Sequence, residues 1–256
     1  MILALCGTTE GKILVEALTK KGLQIIATVT TAYGGKLLKE NAKIEVMEKK
    51  LDKLRMETLI EERRITAIVD ITHPYAENIS RLALEVSKVK KIPYFRYERQ
   101  DTFSKETEEE TLLWAENFSH AAKMAKDFEG KVFLTIGSNH LPTFLKEIKV
   151  DRLIARVLPL SKIVKTCEDY GFTPDNLIAM KGPFSEEMNQ QMFKSYGASV
   201  VVTKDSGEAG GTEEKINAAK YLKIPVILVK RPSISYGKIY YDINEIVNKM
   251  AFIYGK

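Results

Sequence analysis

The chain has 256 residues, 45% hydrophobic and 29% charged, with 15 glycines and 8 prolines, a composition that excludes collagen-like, low-complexity and disordered chains. Its 39 basic and 34 acidic residues leave a net charge of +5, which favours anionic ligands but is too evenly interleaved to mark a nucleic-acid surface. Charges interrupt every apolar run before about 18 residues, which excludes a membrane-spanning helix, and the two cysteines, Cys6 and Cys167, exclude a disulfide framework.

Cysteine usage and the short apolar run at 2–6, with no basic leader before it, predict a cytoplasmic protein. Taken in chain order, the runs 2–6, 23–30, 43–47, 65–71 and 94–97 read as strands, and the amphipathic stretches 12–20, 51–64 and 76–88 between them as helices. Lys88, Lys90 and Lys91 close the last of these helices, where cations complement the dipole. Residues 101–111 are polar, rich in glutamate and without a periodic apolar face, and so read as a solvated connector between domains.

The alternation then restarts. A helix at 116–128 ends at Gly130, strands follow at 132–136, 153–158, 177–180, 199–203 and 226–230, and helices fill 162–170, 185–196, 213–222 and 243–253. The βα rhythm predicts an α/β protein of two Rossmann-like domains, 1–100 and 112–256, with mostly parallel sheets and an interdomain cleft.

Ligands of open parallel sheets gather beyond the carboxyl ends of the strands. Five turns there have unusual chemistry: Gly7-Thr8-Thr9-Glu10-Gly11, the 70–76 stretch with Thr72-His73-Pro74-Tyr75, Gly137-Ser138-Asn139-His140, Lys181-Gly182-Pro183-Phe184, and 203–211 with Lys204-Asp205-Ser206-Gly207. The first reads equally as a cofactor loop or as a tight turn that needs glycine. His73 reads either as a structural cap or as a ligand contact. His73, His120 and His140 lack metal-ligand spacing, and the cysteines form no CxxC. The glycines at 207, 210 and 211 expose backbone amides beside Lys204, a concavity suited to anions if a ligand orders it. Arg96 and Arg99 leave a strand end together and Arg156 sits in another strand; guanidinium forks suit carboxylates, and ion pairs equally.

Together the 7–11 and 70–76 turns, Arg96-Tyr97-Glu98-Arg99, Lys181-Gly182-Pro183-Phe184, the 203–211 run and Lys230-Arg231-Pro232 resemble the precorrin-6A reductase family, with its cobalt-precorrin-6A counterpart in the anaerobic cobalamin pathway. The resemblance covers nearly the whole chain. Its most specific parts are the His-Pro-aromatic-Ala and Lys-x-Ser-Gly motifs. It implies a two-domain reductase that reduces one double bond of a tetrapyrrole with NADH or NADPH. By motif position, Gly7, Thr8, Thr9 and Gly11 would line the cofactor, with Thr72, His73 and Pro74 beside it. The implied substrate set is Arg96, Arg99, Lys181, Lys204, Ser206 and Gly207, with Lys204 relaying the proton or stabilising charge, water being the alternative. Family members using NADPH often have an arginine after the second strand. Here that stretch reads Thr30-Thr31-Ala32-Tyr33-Gly34-Gly35-Lys36, which leans the expectation to NADH.

Two other readings fit the same residues: a reductase of another anionic substrate, and a nonredox protein binding a nucleotide or anion. No metal, nucleic-acid or membrane partner is expected.

Overall fold

Alternation within single strands sets the layering. In β1 (Ile2–Cys6), Ile2, Ala4 and Cys6 enter one apolar layer and Leu3 and Leu5 the other, as a period of two requires when both faces are covered. The computed structural model describes residues 1–30, 32–39, 44–99, 111–207 and 210–255, with the backbone alone for residues 32, 33 and 37. Helix α1 (Thr9–Lys20) follows; the Thr8 side chain caps it by accepting from the Gly11 amide, and Glu10 and Lys20 complement its two ends. The rhythm continues through β2 (Ile25–Thr28), α2 (Ala32–Lys39), β3 (Glu45–Met47), α3 (Lys53–Glu62), β4 (Ala67–Ile71), α4 (Glu77–Lys90) and β5 (Tyr94–Tyr97). Leu14, Val15 and Leu18 of α1 pack on one face of this sheet, and Met56, Leu59, Ala83 and Val86 of α3 and α4 on the other. Each of the larger ones that is fully buried, such as Leu14, Leu18 and Met56, contributes about 1.5–3 kcal/mol.

The second sheet is built the same way. Its elements are β6 (Leu112–Ala115), α5 (Phe118–Lys126), β7 (Lys131–Leu134), α6 (Leu141–Leu145), β8 (Leu153–Val157), α7 (Ser161–Asp169), β9 (Leu177–Ala179), α8 (Glu186–Ser195), β10 (Ala198–Lys204), α9 (Thr212–Tyr221) and β11 (Val226–Val229). Asn117 caps α5 by accepting from the His120 amide, while the His120 ring accepts from the Glu116 amide, so this histidine serves its own helix start. The chain ends with β12 (Ile239–Tyr240) and α10 (Ile243–Tyr254), the latter capped by Asp242.

Strand order is β3-β2-β1-β4-β5-β12 in one sheet and β9-β8-β7-β10-β11-β6 in the other, and every described pairing is parallel. Both follow the doubly wound plan, with the order reversing between β1 and β4 and between β7 and β10. The chain divides into one unit of Met1–Gln100 with Pro232–Lys256 and another of Asp101–Arg231. This corrects the expected 112–256 domain. The terminal segment belongs to the first unit, because β12 pairs with β5 and because Ile246, Val247 and Met250 of α10 join Leu14 and Leu18 in one core. The first unit thus takes its sixth strand, β12, from beyond the second unit's segment, whereas the second unit's six strands run consecutively in the chain.

Helix α2 was not expected, since Gly34 and Gly35 lower its propensity. Strands β6 and β12 were missed because a run of four residues, and one of two, shows no period. The connector at 101–111 lies, except for residue 111, outside the described residues. No helix among the described residues is long and apolar enough to cross a membrane.

Candidate active site

In the first unit, three turns meet at the carboxyl ends of β1, β4 and β5. Gly7 is exposed, and a Cβ placed on it would find only the Thr72 Cα and the His73 amide, both at 4.0 Å. The space above this turn is therefore open to a ligand and walled by the β4–α4 backbone. Gly11 does something different. Its Cβ would lie 3.3 Å from the Cys6 Cβ, so this glycine lets α1 approach β1 closely and is a packing residue, not a lining one. Burial, then the nearby Asp70 carboxylate, push the Cys6 thiol up to about 12, which leaves it protonated and inert. Thr8 donates to the Ile71 carbonyl at 3.2 Å, tying the two turns together. Thr9 is exposed at the start of α1.

The β4–α4 turn is held from below. Asp70 Oδ1 accepts from the Thr72 amide at 2.9 Å and the Thr72 hydroxyl at 2.6 Å, and its other oxygen accepts from the Tyr94 hydroxyl at 2.6 Å. Burial, followed by the Asp70 charge, raises the Tyr94 phenol above its ordinary range, so it remains a donor. His73 Nδ1 accepts from the Tyr75 amide at 3.3 Å, and Pro74 is buried.

Arg96 and Arg99 depart from the expectation that they face substrate. Arg96 is fully buried and pairs with Asp70 at 2.8 Å and Glu98 at 3.0 Å. Arg99 grips Glu10 with two bonds of 2.5 and 2.6 Å. Burial alone would raise the Glu10 carboxyl, but the bonds from Arg99 hold it below the ordinary range. Both guanidiniums serve the first unit's own acids; a strand-end arginine in sequence shows neither its face nor its partner.

In the second unit, Lys204 ends β10 and the following turn closes on itself. The Ser206 amide donates to the Thr212 hydroxyl at 3.1 Å, and that hydroxyl lies 3.4 Å from the carbonyls of Lys204 and Gly207. Asp205 and Ser206 are buried, and Asp205 pairs with Arg231 at 3.3 Å. Thr212 thus holds the first part of this turn, residues 204–207, from within the unit. Ser206 and Gly207 are interior, Gly207 taking the positive φ of +72° that favours glycine. Lys181 is exposed after β9. The loop it opens reaches this turn, because a Cβ on Gly211 would stand 3.6 Å from Pro183.

Two buried cations here escaped the sequence reading or were left open by it. Lys215 is 7% exposed on α9 and donates to the Gly210 carbonyl at 2.7 Å. Burial, then the charges of Arg156 and Lys204, bring its ammonium down to about 7. Its only cue in sequence is its place beside Ile216 on the inward face, masked by the flanking Glu213 and Glu214. Arg156 donates to Asn189 at 2.8 Å, lies 4.3 Å over the Phe184 ring, and is lowered to about 10 by burial. Burial also brings Lys204 down to about 8. His140, stacked on Phe118, is held near 4 by burial and by Lys204, and so stays neutral. Desolvated cations of this kind suit carboxylates, and a lysine near 8 can exchange protons at neutral pH. No group of three His, Cys, Asp or Glu able to hold a metal occurs among the described residues.

A family model described as Precorrin-6x reductase CbiJ/CobK matches residues 1–251. The chain is 35% identical over 254 residues to the cobalt-precorrin-6A reductase of Priestia megaterium, covering 98% of each. It is 38% identical over 230 residues to the cobalt-precorrin-6A reductase of Methanocaldococcus jannaschii, covering 90% of this chain and 89% of that protein. Among solved structures it resembles CobK precorrin-6A reductase with a TM-score of 0.78, over 100% of this chain and 98% of that one; at 20% identity this is a likeness of fold.

Proposed function

The chain belongs to the precorrin-6x reductase family, and on that premise we propose that its first unit takes the nicotinamide cofactor and its second the macrocycle. As a member it is an oxidoreductase of cobalamin biosynthesis that reduces the precorrin-6A macrocycle, in a family that depends on a nicotinamide.

The observation that carries this division is the open space at Gly7, set between β1 and β4 where the strand order of the first sheet reverses. A dinucleotide fits that place: a backbone without a side chain, a helix N-terminus for the pyrophosphate, and a wall formed by Thr72, His73 and Pro74. Thr8 and Thr9 would sit at its phosphates. Glu10 would repel them were its charge not neutralised by Arg99. When bound, the reduced nicotinamide supplies the hydride.

Reduction of one macrocycle double bond also takes up a proton, and Lys204 holds one at Nζ near neutrality. Lys204, Lys215 and Arg156 concentrate positive charge in the second unit, in keeping with a polycarboxylate substrate, and Lys181 adds an exposed cation. The relatives of highest coverage are named for the cobalt-containing macrocycle, which favours that form. For the reductant, NADH is favoured: the stretch 30–36 carries no arginine for a 2′-phosphate.

Gly7→Val tests the cofactor site. Its side chain enters open space and spares the fold, so NADH affinity, titrated by fluorescence, should fall about tenfold or more with native circular dichroism. Unchanged affinity refutes the assignment. A tenfold preference of wild type for NADPH in kcat/KM, about 1.4 kcal/mol, would overturn the choice of NADH.

A further inference from the structure

We infer that Arg96 is a positioning residue for the cofactor, acting through the Thr72 hydroxyl to fix the backbone of Thr72-His73-Pro74; this rests on the reading of that turn as the cofactor wall. Arg96 is fully buried in β5, a costly place for a cation unless its partners are well placed. A well-packed apolar set in place of both Arg96 and Asp70 would serve stability as well or better. What the guanidinium adds is direction. Its Nη1 donates to Asp70 at 2.8 Å and to Thr72 Oγ1 at 3.1 Å, with Ser80 of α4 at 3.5 Å, while Nε donates to Glu98.

The Thr72 hydroxyl accepts from Arg96 and donates to Asp70, so its orientation is determined from both sides. The same residue's Cα is one of the two atoms facing the vacant position above Gly7. The network beneath the turn and the space above it therefore share one piece of backbone. Tyr236, from the terminal segment, closes the network: Arg96 lies 4.9 Å over its ring, and that ring stacks with Tyr94 at 6.2 Å. Arg96 Nη2 is buried and has no hydrogen-bond partner among the described residues, so the guanidinium is held by these contacts and not by saturation of its donors.

The test is a double-mutant cycle on the full chain, reading NADH dissociation constants from bound dihydronicotinamide fluorescence, with thermal midpoints measured separately. Arg96→Lys keeps the charge but loses the fork, and Thr72→Val keeps the volume but loses the hydroxyl. Each should weaken NADH binding about tenfold, and the combined variant should be no weaker than the worse single one. Additive losses would mean that Arg96 acts by another route and would overturn the inference. Wild-type affinity in both single variants, with only the midpoints lowered, would also overturn it by making the network purely structural. Should Arg96→Lys not fold, Thr72→Val and Tyr236→Leu decide, and wild-type affinity in both is the contrary result. Gly7→Val separates the premise: if it binds NADH normally, the cofactor site lies elsewhere whatever the cycle gives.

Discussion

Lys204 is half-buried and Lys215 buried, with different consequences. Burial brings Lys204 down to about 8, so its capacity to donate a proton falls as pH rises through that value. The rate kcat should then decline above about pH 8. Lys204→Met should remove this limb and lower kcat by about 10²–10⁴-fold with NADH affinity nearly intact. A rise in KM alone would make Lys204 a substrate clamp, with water as the donor. Lys215 bears chiefly on stability, to which the smaller shift of Lys204 adds only above about pH 8. The folded pKa of Lys215, about 7, lies below the ordinary lysine value of 10.5, through burial first and then Arg156 and Lys204. Between these values the unfolded chain binds more protons than the folded one, so stability should increase as pH rises through that window, by at most about 1.4 kcal/mol per unit. Below about 7 the cation is buried at full cost. Urea unfolding at pH 7 and 9 checks this; Lys215→Met should flatten the dependence, and an unchanged slope would contradict it. Neither shift was legible in sequence. Lys204 was singled out by its turn, but Lys215 looks there like one more charge on a solvated helix, and the arginines at 96 and 99 show charge without partner. Partnership is set by neighbouring strands, which a linear reading does not order.

At the scale of elements, the long runs were legible because strands buried on both faces are almost wholly apolar, as in β1 and, Asp70 apart, β4. Helix starts fell within about two residues of the expected ones where Asp52, Asn117, Ser185 or Asp242 supplies a cap, but α1, capped by Thr8, begins at Thr9 and not at 12, inside what read as a turn. The 7–11 turn was legible as a unit, but its two glycines have separate tasks that only contacts distinguish: Gly7 leaves space and Gly11 admits Cys6. Helix α10 was expected, though its destination was not. Met250, fully buried against the α1 core, gives a direct check. Met250→Ala should destabilise the first unit by about 2–5 kcal/mol. Trp114, the single tryptophan, lies in β6 of the second unit. The far-UV dichroism midpoint in urea should therefore move while the tryptophan fluorescence midpoint stays near wild type. Equal displacement of both would mean that the two units unfold as one.

Across the whole molecule, two sheets share the same doubly wound order, and the first takes its outermost strand, β12, from beyond the second unit's segment. The repeated βα rhythm announced two such units, but the return of β12 depends on a two-residue strand whose partner, β5, lies far away in sequence. The chain passes between the units at Arg231 and Pro232, with Arg231 bonded to Asp205 beside Lys204 on one side and Tyr236 set against Arg96 on the other. These anchors tie the crossing to both candidate ligand turns. The most direct measurement is anaerobic incubation of the full chain with cobalt-precorrin-6A and NADH, following loss of reduced-nicotinamide absorbance alongside the macrocycle spectrum. The account predicts one NADH oxidised per macrocycle reduced; no oxidation with either the cobalt-containing or the metal-free substrate, by an enzyme that still binds NADH, would contradict it.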